Sequence, residues 1–417
     1  MLYRNIGKIA ALIFTLGLAA GYTAPVLAQA HQAEPAGTVR AEVGKPLQAA
    51  VALLKGRKAK AALAKIAEAD AVKNKTPFEA YMVARLRAQA EAAAGDAAAS
   101  ARDFEATAAS PAAPAAERTQ FLAVAAGQYY SARQYAKAVE LATRYFAAGG
   151  KDPAVRTIYV QALYLGNDFA QAAKEILADV EGEQQAGKTP SEMELQMLAN
   201  CYLKTNDKAG YAHTMEKLVA FHPKRDYWLS VVYSVTTRPG FSDRLTLDAD
   251  RLKLATGTMR GAEDYMEAAQ LALQAGFPME AKKFVDAGYA AGLLGTGPDA
   301  ARHQRLRALV QKNLAEDQQT LGQGDARVAA DKDGTPLLNT GLNYVLHGRA
   351  DKGLAMMEQG MRKGGFRHPD DARLRLGYAY QLAGQKQKAV QVFKTVRGAD
   401  GAAALARLWV IRLGQGS

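Results

Sequence analysis

The sequence predicts an all-α chain built as a solenoid of antiparallel helix pairs, each too small to bury its own apolar face, so that neighbours stack and share a core. Three observations carry this. Leu376-Gly377, Tyr380, Gly384, Ala389 and Phe393 are echoed 36 residues upstream by Thr340-Gly341, Tyr344, Gly348, Gly353 and Met357. Alanine-rich stretches at helical spacing run through almost all of the 417 residues, and few segments show the β-branched alternation of strands. A position suited to opening a second helix recurs at Ala62, Ser100, Ala138, Ala172, Tyr211, Ala281, Gly353 and Ala389, with spacings of 38, 38, 34, 39, 70, 72 and 36. The two long gaps each fit two repeats, implying degenerate ones centred near Thr246 and Asp317 and about ten repeats in all.

The first thirty residues combine a basic start (Arg4, Lys8), an apolar run from Ile9 to Ala20 and a small-residue end at Val26-Leu27-Ala28-Gln29-Ala30. This reads as a secretory signal peptide over residues 1–30, with the mature chain beginning near Gln29 or His31. The apolar run is a dozen residues, against the roughly 20 that a membrane-spanning helix needs. No Cys lies near the cut and no Arg-Arg pair precedes the run, which leaves neither lipid attachment nor twin-arginine export. The expectation is an exported, soluble periplasmic product with no stable membrane insertion after cleavage. Removing the segment lowers the formal charge from +12 to +10. That excess is spread among Asp and Glu, its densest cluster being Lys55-Gly56-Arg57-Lys58 with Lys60. With export, it reads as a mainly solvated surface and not a nucleic-acid footprint, leaving some contact with anionic envelope polymers or lipid headgroups open. The single Cys201 can form no internal disulfide, so core packing must hold the chain together, and on its helix it reads as a small buried residue.

Beyond the signal, residues 31–44 are polar with Pro35 and read as a loose leader. Repeats then follow one another. The stretch 119–152 has Ala126, Tyr129, Tyr135, Ala138 and Tyr145, and the next has Leu163, Phe169, Ala172 and Ile176. Residues 192–226 carry Leu198, Ala199, Tyr202, Met215, Leu218 and Pro223, and 370–405 carry Leu376, Gly377, Tyr380, Ala389 and Phe393. Small residues at the crossing let two backbones approach, aromatics fill the space between turns, and Pro stops a helix. This pattern resembles the tetratricopeptide repeat family, and the resemblance implies a right-handed superhelical solenoid whose concave face binds protein partners. The first two repeats depart from it, having Ala-rich sequence where the family has Leu-Gly.

Two stretches interrupt the array. Thr236 to Asp250 has a Pro-Gly turn and poor helical phase, and Gly292 to Pro298 is Gly-rich. The second divides the expectation into an N-terminal array over 45–291 and a C-terminal array over 298–417. The segment Ala402 to Leu413, with Leu405, Leu408, Trp409 and Leu413 on one face, reads as a terminal capping helix.

No residue pattern asks for catalysis, a cofactor or a metal. The histidines at 31, 213, 222, 303, 347 and 368 are not paired at i,i+4, and His222 and His368 precede Pro at helix exits, where a His hydrogen-bonds terminal carbonyls or faces solvent. Asp331-Lys332-Asp333-Gly334 lacks the later glutamate of a calcium loop and reads as a turn. Gly322-Gln323-Gly324-Asp325 follows a helix and lacks a third Gly. Tyr227-Trp228 with Tyr233 and Phe241 reads as core.

The family resemblance also implies which side chains would face the groove: alternate positions of each first helix, which here hold Gln120, Tyr130, Gln161, Tyr164, Asn200, Lys204, Gln270, Gln274, Tyr378 and Gln381. Amides and phenols can hydrogen-bond peptide backbone or sugar hydroxyls without opposite charge, and Tyr adds flat apolar area at low entropic cost. The family's carboxylate clamp finds only Arg302, Asn339 and Arg375 here, with Leu306 and Asp371 at two of its positions. The reading is therefore a non-catalytic periplasmic scaffold for a protein or peptide, within an envelope assembly or export system. The alternative is a carrier or sensor of a glycan or lipid.

Overall fold

The computed structural model describes residues 38–415; the signal segment 1–30 and residues 31–37 of the expected leader lie outside them. All regular structure among the described residues is helical. The helices are α1 (Ala41–Lys55), α2 (Ala59–Asp70), α3 (Pro77–Ala94), α4 (Ala97–Ala109), α5 (Ala115–Ser131), α6 (Tyr135–Ala147), α7 (Pro153–Leu165), α8 (Phe169–Gln185), α9 (Glu192–Lys204), α10 (Lys208–Phe221) and α11 (Arg225–Thr236). They continue, after a 3-10 turn at Asp243–Leu245, with α12 (Thr246–Ala255), α13 (Ala262–Gln274), α14 (Pro278–Ala290), α15 (Ala300–Thr320), α16 (Asp325–Ala330), α17 (Thr335–Leu346), α18 (Ala350–Lys363), α19 (Pro369–Leu382), α20 (Lys386–Phe393) and α21 (Ala402–Gly414). Helix begins at Ala41, so the last residues of the expected leader are structured, and Val43 is fully buried.

Eight of these pairs are tight hairpins closed by one repeated turn. A left-handed residue follows each first helix, at Arg57, Gly95, Arg133, Asn167, Asn206, Gly276, Gly348 and Gly384, with φ between 57° and 85°. The next backbone N–H reaches back to the carbonyl five positions earlier, from Lys58 to Leu53, Asp96 to Glu91, Gln134 to Tyr129, Arg349 to Tyr344 and Gln385 to Tyr380, each at 2.9 Å. This six-to-one bond satisfies a carbonyl that the helix end leaves open and reverses the chain in a fixed direction. Each left-handed residue stands five positions before one of the helix-opening positions read from the sequence, so the spacing of 38, 38, 34, 39, 70, 72 and 36 is the spacing of these turns. Asp96, Asp168 and Asp207 then cap the second helices by accepting from the backbones of Ala99, Gln171 and Gly210.

The two long gaps are filled differently from expectation. Thr246 opens α12, which joins α11 through the turn-rich stretch 237–245, and Asp317 lies inside the continuous 21-residue α15, followed by the six-residue α16. Ten pairs are present, but two of them are irregular.

At the helix crossings, small residues permit close approach. Ser100 on α4 donates its hydroxyl to the Ala88 carbonyl of α3 at 2.9 Å. Between α17 and α18 the approach is backbone to backbone: a Cβ on Gly353 would lie 2.4 Å from the Gly341 oxygen and 2.7 Å from a Val345 methyl. Aromatics fill the gaps between hairpins. Phe104 stacks on Phe121 at 6.0 Å, and Phe393 lies parallel to Trp409 at 5.8 Å. Burial of one such ring contributes about 1.5–3 kcal/mol.

The chain forms two compact units, Met1–Glu175 and Ile176–Ser417. In the first, apolar side chains from α1 to α3 make one core cluster around Ile66, and those from α3 to α7 make a second around Phe121 and Leu141. The expected boundary at Gly292–Pro298 is a loop between α14 and α15 inside the second unit, where contacts made by α19 and α21 with α10 to α14 bind both sides together. The terminal helix spans Ala402–Gly414 as read from sequence, with Leu405, Leu408 and Trp409 buried. It does more than cap. Arg407 pairs with Glu216 at 3.2 Å, and the Arg412 Nε donates to the Ala255 carbonyl at 3.1 Å, so α21 also packs on α10 and α12.

Gly353→Ala is expected to lower the stability of the C-terminal unit by about 1–3 kcal/mol through overpacking against backbone that cannot retreat. Chemical denaturation followed by circular dichroism reads this, and an unchanged midpoint would contradict the close crossing.

Candidate functional site

Within each unit, first helices touch the first helix of the next pair: α1 with α3 and α5 with α7 in the N-terminal unit, α13 with α15 and α17 with α19 in the C-terminal unit. A layer of first helices is the surface that the sequence assigns to a partner. All ten residues singled out there fall on first helices, four of them in the N-terminal unit and six in the C-terminal unit.

Three of them converge. Tyr130 near the end of α5 donates its phenol to Gln161 Oε1 on α7 at 2.8 Å, one repeat further along the chain. Burial raises the Tyr130 pKa, keeping the phenol a donor at neutral pH. The Gln161 carbonyl is thereby occupied, which fixes the amide and leaves its two N–H donors without a partner among the described residues. Tyr164, one turn on, meets Phe169 edge to face at 5.5 Å, and Tyr135 packs at 5.9 Å from Tyr130. The three residues are half-buried, which leaves them reachable. Gln120 is exposed at the other end of α5, ten residues or about 15 Å from Tyr130. Towards that end the same repeat-to-repeat linkage joins α3 to α5, with Tyr81 donating to Glu117 at 3.0 Å and Arg85 within 3.3 Å of it.

The other residues lie in the C-terminal unit. Asn200 and Lys204 are on α9, Gln270 and Gln274 are exposed on α13, and Gln381 is half-buried on α19. Tyr378 is a correction: it is 7% exposed and belongs to the core. The Arg251 guanidinium lies 4.8 Å from its ring centroid, Trp409 packs at 5.9 Å, and burial raises its pKa well above that of a free phenol.

The group that claims Tyr378 went unread in the sequence. Arg251, 3% exposed, donates from Nε to Glu280 Oε1 at 2.9 Å and from Nη2 to Glu280 Oε2 at 2.7 Å, while Nη1 reaches Asp248 at 2.7 Å. This bidentate pair ties α12 to α14, and its cation–π contact ties both to α19. Nearby, Arg375 donates to Asn339, and its Nε has no hydrogen-bond partner. A helix bearing Asp248, Asp250, Arg251 and Lys253 reads as solvated, so no local signal marks it as core; only the fold supplies the partners. Asp250 is also buried, its Oδ2 is unpartnered, and desolvation raises its pKa to about 6 against the pull of Lys253.

The remaining chemistry-bearing residues are held structurally. Cys201 is fully buried, and desolvation raises its pKa to about 12, so the thiol stays protonated. His222 ends α10, and its Nε2 sits 2.8 Å from the carbonyl of Pro190 in the loop before α9, not from a terminal carbonyl of its own helix. His347 Nε2 lies 2.6 Å from Asp317, which also accepts from Asn343 at 2.8 Å. His303 is buried and its Nδ1 accepts from the Gly295 backbone at 3.1 Å. The Asp331–Gly334 stretch is a turn in which Asp333 Oδ1 accepts from Thr335 at 2.6 Å. Of the clamp residues, Arg302 pairs with Glu263 at 2.7 Å, while Arg375 bonds Asn339, so they do not converge. Trp228 is core as expected, whereas Tyr233 is exposed with Arg260 over its ring at 5.9 Å. No group of three or more His, Cys, Asp or Glu is arranged to hold a metal ion among the described residues, and no helix there is long and apolar enough to cross a membrane.

Neither a family profile nor a curated protein matches the chain. Among solved structures it is similar to yeast Tom70, at 10% identity and a TM-score of 0.25 over 87% of this chain and 94% of that one. It is also similar to the APC/C hetero-tetramer Cut9–Hcn1, at 11% identity and a TM-score of 0.20 over 88% of this chain and 83% of that one. At these scores the helix-pair architecture rests on the chain's own turns and crossings.

Two outcomes follow for the buried charges. Glu280→Ala strands Arg251 and is expected to cost about 3–5 kcal/mol in thermal or denaturant unfolding; a loss below about 1 kcal/mol would mean the pair is solvated. For Asp250, a folded pKa near 6 exceeds the ordinary value of 3.8, so the wild type is penalised once pH rises through that window. Asp250→Asn is expected to stabilise by about 2 kcal/mol above pH 6, the gain fading to nothing near pH 3.8. A pH-independent difference would contradict the burial.

Proposed function

We propose that the chain is a non-catalytic scaffold, exported to the periplasm, that holds a segment of a partner protein on the first-helix face of its N-terminal unit. The observation carrying this is the Gln161 amide, held through its carbonyl by the Tyr130 phenol, its N–H donors unpartnered among the described residues, on a helix that also carries Tyr164 one turn on. A peptide backbone offers the matching carbonyl acceptors, and Tyr rings supply area at little entropic cost. Because the amide is already restrained in the free protein, less ordering remains to oppose binding. Tyr378, the comparable residue of the C-terminal unit, is engaged within the fold, which makes the N-terminal unit the better candidate. The sequence at residues 1–30 supports the address.

The test is site-specific photocrosslinking in cells exporting the full chain, with the probe at Tyr164 or Gln120 and, as control, at exposed Thr143 on the second helix α6. One protein is expected to be captured from Tyr164 and not from Thr143, with yield reduced about tenfold by Gln161→Ala. Equal labelling from both faces would sink the reading, and adducts of a glycan or lipid alone would replace it with a carrier. Retention of uncleaved chain in the cytoplasm would refute the address.

A further inference from the structure

The turn between α1 and α2 departs from its counterparts in one direction. Where the repeated turn places its left-handed residue, six of eight hairpins use Gly or Asn, which tolerate that conformation; the first uses Arg57 at φ 57° and the third Arg133 at φ 59°. At the next position Asp96, Asp168 and Asp207 cap the second helix, whereas Lys58, like Gln134, Phe277, Arg349 and Gln385, makes no cap hydrogen bond; of the eight turns, the first is the one with a cation at both positions. Lys58 and Lys60 also stand at the positive end of the α2 dipole, which disfavours cations. Both turn positions thus carry a residue that weakens the turn, and both are cationic.

The bias extends along the hairpin. Residues 43–67 hold Lys45, Lys55, Arg57, Lys58, Lys60 and Lys65 and no acidic residue, in a chain with 53 basic and 41 acidic side chains. Lys65 pairs with Glu68, but Lys55, Arg57, Lys58 and Lys60 at the tip are exposed and make no ion pair or side-chain hydrogen bond among the described residues. The tip that follows carries Asp96, already engaged as the α4 cap. What sets this tip apart is its charge: four exposed cations gathered at one turn, with no acidic residue between 43 and 67 to balance them.

We propose that the α1–α2 tip is a docking surface for a phospholipid bilayer bearing anionic headgroups. Charge complementarity is the argument. Four free cations projecting from one turn match a surface whose negative charge is spread in a plane, and each contributes additively near that surface. Three of the four are Lys, suited to diffuse attraction, where bidentate recognition of a fixed phosphate would favour Arg. No aromatic lies between residues 51 and 67 to stack bases, which disfavours single-stranded nucleic acid. This surface is separate from the Tyr130–Gln161–Tyr164 face and does not depend on it.

The experiment is vesicle co-sedimentation of the full chain, exported and purified, with phosphatidylcholine vesicles containing or lacking 30% phosphatidylglycerol. The N-terminal segment with Arg4 and Lys8, if retained, is common to every variant, so the difference between variants on anionic vesicles isolates the tip. Binding to the anionic vesicles is expected, abolished by 0.5 M salt. Each cation removed should weaken it roughly fivefold, so that K55A/R57A/K58A/K60A loses a hundredfold or more. K188A/K208A/K312A/K332A, with the same change in net charge at exposed sites elsewhere, should stay within about threefold. Circular dichroism verifies that both variants fold, and photocrosslinking from Tyr164 reports the partner face separately. Equal binding to the two vesicle types, equal loss in both variants, or tip-dependent binding to heparin without binding to vesicles would each overturn the assignment.

Discussion

One backbone hydrogen bond, repeated eight times, governs this molecule: the six-to-one bond that closes each hairpin behind a left-handed residue. It fixes where the first helix stops and the direction in which the second returns, and so sets which residues cross. Five positions on, the second helix comes up against the first, and at Ser100 and Gly353 the crossing leaves room for only a small side chain. The acceptor of the bond is often the aromatic that fills the next gap, as at Tyr129, Tyr202, Tyr344 and Tyr380. Turn, crossing and core are therefore one constraint seen at three positions, and changing the turn would shift the register of the others.

The two irregular pairs show what happens where that constraint lapses. Without a tight turn to direct it, α12 lies across helices from both ends of the C-terminal unit, and its acidic and basic residues become buried. Charge in such a place is stable only when paired, and the bidentate Arg251–Glu280 bridge with Asp248 supplies the pairing. A buried ion pair is a weak source of net stability but a strong selector of geometry, because any other packing leaves a bare charge behind. The C-terminal helix adds Trp409 to the same assembly and covers a surface that in an open array would face solvent.

The features legible in the sequence were those that recur. Glycines, alanines and aromatics at a period near 36 residues mark the turns and crossings directly, since each position has a steric requirement that few residues meet. The ends of helices at Thr236 and Ala290 and the extent of the terminal helix followed from Pro, Gly and apolar phase. Tyr378 was misread because its place on a first helix says which layer it joins but not what covers that layer. Arg251 and Glu280 gave no signal at all: they lie 29 residues apart and only the fold makes them partners. The candidate face was read in part, as the residue types at Tyr130, Gln161 and Tyr164 were recognised while the bond that orients the amide needed coordinates.

The central claim is that residues 246–255 and 402–414 are integral to the C-terminal unit and not appendages laid on a finished solenoid. Hydrogen exchange of the full chain, resolved by mass spectrometry, tests it directly. The account requires both segments to exchange as slowly as α10, through the same cooperative opening. Fast exchange of 402–414 or 246–255 while α10 stays protected would contradict it.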